Sequence, residues 1–179
     1  MKAVSSTRNI DVPASQLWQG ITSEHHLEAC HPYIQRHSKS AKKSAIADEI
    51  TYLNNVVFTR ESTSWMEGQG YDLLVGKASE PKNEVQWRIT PVNETSCQLT
   101  IAVTPRAIEK LPKVIRNLAL ILFVRRQVAL YLDAVTSGIK SWMESGAPVD
   151  KTAYQKHRWF CPERNIDWRQ ISASDCSPS

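Results

Sequence analysis

The hydrophobic positions of this chain change period as the sequence proceeds. Val4, Ser6, Arg8 and Ile10 alternate loosely with their neighbours, which predicts a first strand. Pro13 suits the opening of a helix, where its missing N–H is not needed, and Leu17, Trp18 and Ile21 give that helix an apolar stripe. Ser23 is placed to cap a second short helix, Glu24 to Ala29, which Pro32 stops. From Tyr33 to Thr104 the pattern is that of strands. Ile50, Tyr52, Val56 and Phe58 alternate with polar neighbours about a turn at Asn54-Asn55. Gly68-Gln69-Gly70 precedes Tyr71, Leu73 and Val75, and Glu80-Pro81-Lys82-Asn83 precedes Val85, Trp87 and Ile89. A further turn over Pro91 to Thr95 leads into Cys97, Leu99, Ile101 and Val103. Closely spaced strands joined by short polar turns describe an antiparallel meander.

Pro105 ends the meander, and after Pro112 the period becomes helical. Val114, Leu118, Ile121, Val124, Val128, Tyr131, Val135, Ile139 and Trp142 recur at spacings of three and four until Gly146 and Pro148. The segment reads as one long helix, or as two with a break near Arg125-Arg126. The predicted class is α+β: a curved antiparallel sheet of about six or seven strands, with two short helices after the first strand. A curled meander needs its concave face covered, and the last helix alone has the apolar surface to cover it.

Composition adds bounds. At 179 residues, 41% hydrophobic and 22% charged, the chain fits one globular domain with its own core. Cys30, Cys97, Cys161 and Cys176 are widely spaced, without zinc-ligand spacing, and read as reduced thiols of a cytoplasmic protein. The most apolar run, Leu118 to Val124, is too short to span a bilayer. A net charge of +4, with only Lys39, Lys42 and Lys43 tightly grouped, gives no basic stripe and argues against a nucleic-acid partner.

The order of elements and several landmarks resemble the SRPBCC superfamily, also called START-like or Bet v 1-like, whose fold is the helix grip. The landmarks are Ile10-Asp11-Val12-Pro13-Ala14 with Trp18, Phe58-Thr59-Arg60, Glu67-Gly68-Gln69, Trp87-Arg88-Ile89 and Leu99-Thr100-Ile101. Tyr131-Leu132, Gly138-Ile139 and Trp142 extend the resemblance into the last helix. It covers residues 1 to 146 and looks most like members of the polyketide cyclase or lipid-transport type. Residues 147 to 179 form an extension whose His157-Arg158-Trp159-Phe160 and Trp168 are too aromatic for a free tail and are expected to dock on the domain or on a neighbour. The resemblance implies a cavity between sheet and last helix that takes a hydrophobic small molecule, lipid or polyketide-like. It implies a binder more readily than an enzyme, with a cyclase or dehydratase-like activity in the same cavity as the alternative.

On that fold the expected ligand-binding residues are Tyr52, Phe58, Arg60, Tyr71, Trp87, Leu99 and Ile101 from the strands, with Val128, Tyr131, Val135 and Ile139 from the helix. Arg60 follows Val56 and Phe58 at period two, so unbroken alternation turns it inward. A buried guanidinium then needs a partner, either Glu67, Asp72 or an anionic ligand head. A bulge would instead leave it solvated. His25, His26, His31 and His37 lack a metal-ligand spacing and read as surface or helix-end residues, so no metal or other cofactor is expected. No catalytic motif is present. Within the apolar segment Ile108 to Val124, the stretch Leu118 to Val124 is apolar on all sides, flanked by Lys110, Lys113, Arg116, Arg125 and Arg126, and it expects an additional contact. Its own sheet, a second subunit in a homodimer, another partner protein and a membrane surface are the alternatives.

Overall fold

A computed structural model describes residues 2–39, 47–106 and 118–162. The elements run β1 (Val4–Ile10), α1 (Ala14–Thr22), α2 (His26–Cys30), β2 (Ile34–Lys39), β3 (Ala47–Tyr52), β4 (Val57–Met66), β5 (Gly70–Gly76), β6 (Asn83–Pro91), β7 (Cys97–Thr104) and α3 (Leu118–Ser145). The strands form one seven-stranded antiparallel sheet in the order β1-β7-β6-β5-β4-β3-β2. Strands β2 to β7 pair with their sequence neighbours, as short turns dictate. The exception is β1, which pairs with the last strand in a register running from Val4 opposite Val103 to Ile10 opposite Cys97.

The curved sheet wraps α3, whose buried stripe is Val128, Leu132, Val135, Thr136 and Ile139. Period-two alternation on β1 turns Val4 and Ile10 inward, and Ser6 and Arg8 reach α3 through Thr136 and Asp133. At one end of the concave face, α1 plugs the groove with Leu17, Trp18 and Ile21, all buried. Glu67 fastens that plug. Its carboxylate accepts from Trp18 Nε1 at 2.9 Å and from Trp65 Nε1 at 2.9 Å. Below it Trp65, Tyr71 and Trp87 stack in succession, with ring centroids 5.6 and 5.4 Å apart. The tight link between β4 and β5 depends on Gly70, where φ is 146° and an added Cβ would lie 2.0 Å from the Trp87 carbonyl oxygen.

Two helix starts differ from the sequence reading. Pro13 is the residue before the first turn of α1, and α2 begins at His26 because His25 takes a left-handed conformation with φ 56°. Ser23 therefore does not cap α2; its carbonyl instead accepts from His26 Nδ1 at 2.7 Å. Within the described residues α3 is one uninterrupted helix, with no break at Arg125-Arg126. Most of the apolar segment from Ile108 onward lies outside the described residues. Of its end, Leu122 and Phe123 are exposed. Among the described residues no helix is long and apolar enough to cross a membrane.

Candidate functional site

Between the sheet and the N-terminal half of α3 lies a cavity of about 430 Å³. That size is in the range of small-molecule sites, and the wall has their composition, mostly apolar with a few polar groups. Tyr52, Phe58, Arg60, Trp87 and Ile101 of the predicted set lie on the wall from the sheet, and Val128, Tyr131 and Val135 from the helix. Tyr71, Leu99 and Ile139 do not. They are wholly buried in the part of the concave face that α1 fills, where Gly20 of α1 abuts Trp142 and Met143 of α3. The exposed Lys77 and Glu80, paired at 3.3 Å, mark where the wall meets solvent.

The polar part of the wall is built from β3, β4 and the end of α2. Arg60 is 3% exposed, so alternation along β4 does carry it inward. Its partner is neither Glu67 nor Asp72. Glu67 holds the two tryptophans, and Asp72 pairs with Arg88 at 2.6 Å. Instead Asp48, directly across the ladder on β3, places Oδ1 3.1 Å from Arg60 Nε. The contact is an ion pair without hydrogen-bond alignment, and Arg60 Nη2 has no hydrogen-bond partner among the described residues. The other oxygen of Asp48 accepts from His37 Nε2 at 2.9 Å.

A second polar chain starts at His31. The Tyr33 N–H donates to His31 Nδ1 at 3.1 Å, so the ring proton sits on Nε2, which donates to Tyr131 Oη at 2.9 Å. Tyr131 and Tyr52 share a hydrogen bond of 3.1 Å. That link uses one hydroxyl hydrogen of the pair, and the other hydroxyl hydrogen is left over on the cavity wall. Burial, and then the charge of Arg60, holds His31 well below the ordinary imidazole range. Burial pushes the Tyr52 phenol up to about 12 and Tyr131 well above its ordinary value. Both tyrosines and His31 are therefore neutral near pH 7, and the tyrosines keep their protons.

Of the histidines read as surface or helix-end residues, His26 and His31 do stand at the two ends of α2, but they and His37 are buried rather than on the surface. Burial first, and the charge of Arg60 second, push His26 down to about 3. The sequence reading also left residues of the C-terminal extension out of the wall, although Trp159 and Phe160 belong to it. The aromatic content of that extension was the available signal.

No family model matches the sequence, and no curated protein matches it. Solved structures do. The START superfamily protein from Mycobacterium smegmatis matches with a TM-score of 0.63 at 13% identity, over 81% of this chain and 99% of its own. The chain has the START-like helix-grip fold. The di-domain ARO/CYC BexL from the BE-7585A biosynthetic pathway matches with a TM-score of 0.64 at 13% identity, over 80% of this chain. DynU16, a protein of the dynemicin biosynthetic locus, matches with a TM-score of 0.59 at 11% identity, over 83% of this chain. The chain spans about half the length of these last two, 47% and 49%. At such identities the likeness is one of fold.

Proposed function

We propose that this START-like protein binds an apolar small molecule, lipid or polyketide-like, in the cavity between sheet and α3. The observation that carries the reading is a 430 Å³ apolar cavity with one buried cation, Arg60, on its wall and a guanidinium nitrogen of that cation unpartnered among the described residues. An unsatisfied buried donor costs free energy, and a ligand oxygen there would recover it. The leftover hydroxyl hydrogen of Tyr52 and Tyr131 offers a second donor. On this reading the wall residues Tyr52, Phe58, Arg60, Trp87, Ile101, Val128, Tyr131 and Val135 contact the ligand.

Binding suits these groups better than catalysis. A general base needs a pKa near the working pH, and burial moves His31 and both tyrosines away from it. The free, buried Cys30, Cys97 and Cys161 fit a reducing compartment such as the cytoplasm. Native mass spectrometry of protein purified without detergent tests the reading. The expected spectrum shows a co-purifying lipid-like adduct, and its loss or weakening in Arg60→Met. A protein that carries no adduct and binds none from a lipid extract would overturn it.

A further inference from the structure

The chain does not stop where the fold is complete. The described residues after α3 follow the last long helix of the fold. Their course is fixed by a series of backbone contacts. Gly146, with φ 71°, ends α3, and Val149 N–H donates to Ala29 O at 2.8 Å. Asp150 caps a short 3-10 helix, Lys151–Ala153, through Thr152 N–H at 2.8 Å. Lys151 Nζ then donates to the carbonyl of Ile34. Beyond it Tyr33 Oη donates to Gln155 O at 3.1 Å, His157 Nε2 to Gln127 O at 3.1 Å, and Asn54 Nδ2 to Trp159 O at 2.9 Å. These ties seat Trp159 and Phe160 between α3 and the turn that joins β3 to β4.

Seated there, Phe160 lies between two rings. It stacks on Tyr52 at 4.1 Å and 21°, and on His157 at 5.2 Å and 18°. Its centroid is 4.9 Å from that of Tyr131. Phe160 thus covers one side of the cavity's open end, the end at which β3 finishes at Tyr52 and at which Lys77 and Glu80 meet solvent. Arg60 belongs to the other end, because it pairs with Asp48, four residues before Tyr52 and roughly 13 Å away along the strand.

We infer that Phe160 is a specificity-determining residue: its ring narrows the open end of the cavity, opposite Arg60, and sets how long a ligand the cavity encloses. The inference rests on the binding reading above and adds a size limit to it. The limit comes from a segment outside the helix grip, so ligand length can be altered without touching the sheet or α3. Phe160 is half-buried and makes ring contacts without hydrogen bonds of its own side chain, so its truncation removes volume and leaves the polar ties of the segment intact.

The experiment is displacement of Nile red by a homologous series of straight-chain alcohols, read for the wild-type protein, Phe160→Leu and Phe160→Ala. In the wild type each added methylene should strengthen binding about fourfold up to a limiting length, beyond which affinity stops rising. Phe160→Ala should move that limit upward by about three carbons, and Phe160→Leu by about one. If Phe160→Ala fails to fold, the smaller shift in Phe160→Leu decides. A limit that is unchanged or shorter in the folded variants, with wild-type binding intact, overturns the inference and leaves the binding reading standing. If the wild type takes none of the series and no dye, the binding reading fails and the inference falls with it.

Discussion

Asp48→Asn is the most informative single substitution in this molecule. The side chain keeps its size and its remaining oxygen can still accept from His37, so the change removes one charge and turns an amide NH2, itself a donor, toward Arg60. Arg60 then remains a positive charge at 3% exposure with no counter-ion among the described residues. Removing one member of a buried pair costs about 3–5 kcal/mol, most of it the penalty for the charge left behind. Against a typical total of about 5–15 kcal/mol, that is a large share of the stability. For a chain of this length it lowers Tm by about 6–20 °C. Urea denaturation and differential scanning calorimetry of ligand-free protein both read the change. The double variant Arg60→Met with Asp48→Leu supplies the control, because replacing both charges by apolar groups is often neutral or better. It should be clearly more stable than Asp48→Asn alone. If Asp48→Asn stays within about 1 kcal/mol of the wild type, Arg60 does not depend on Asp48 and the buried-pair reasoning is wrong.

Two further predictions concern stability. Because His26 titrates near 3 in the folded protein and near 6.5 when unfolded, the unfolded chain takes up its proton first as the pH falls. The stability that neutral His26 secures is full above about 6.5 and is lost between there and about 3, with a slope of at most about 1.4 kcal/mol per pH unit from this group. His31, lowered for the same reasons, adds to the acid sensitivity. His26→Asn should flatten the profile of unfolding free energy against pH in that window, and an unchanged slope would contradict the assignment. At Gly138, where α3 passes the end of α2, an added Cβ would lie 2.4 Å from the Cys30 carbonyl oxygen. Gly138→Ala should therefore destabilise by about 1–3 kcal/mol through overpacking, even though alanine is favoured in a helix by about 1 kcal/mol. A higher urea midpoint for this variant would refute the close approach.

The architecture was legible because each element carries its own period. Val4 to Ile10 and Val85 to Ile89 alternate, and Val128 to Trp142 recurs at three and four, so strands, turns and the gripping helix could be placed without any tertiary information. The inward turn of Arg60 followed from the same arithmetic. Its partner did not, although the signal existed. Ile50 and Phe58 mirror each other about Asn54, and carrying the mirror outward puts Asp48 opposite Arg60. Other parts of the site had no such local signal. Nothing in the sequence fixes which ring nitrogen of His31 carries the proton, since that depends on the Tyr33 N–H in the folded chain. Nor does periodicity say which part of a concave face is filled. Tyr71, Leu99 and Ile139 have the right phase for a cavity wall, and they miss it because α1 occupies their end. Phe160 has no period at all, and only the path of the chain back along α3 puts it beside Tyr52.

The pairing of β1 with β7 has a consequence in time. Val4 is made 99 residues before its ladder partner Val103. At roughly 5–20 residues per second of synthesis, the first strand waits about 5–20 s for its place in the sheet. The interval is longer still for the inward side chains of β1, which α3 must cover. Strands β2 to β7 can pair successively as they emerge, each with the one before. The protein therefore closes β1 and α3 together late, across strands that can already have paired, and the cavity wall is complete only when Trp159 and Phe160 follow.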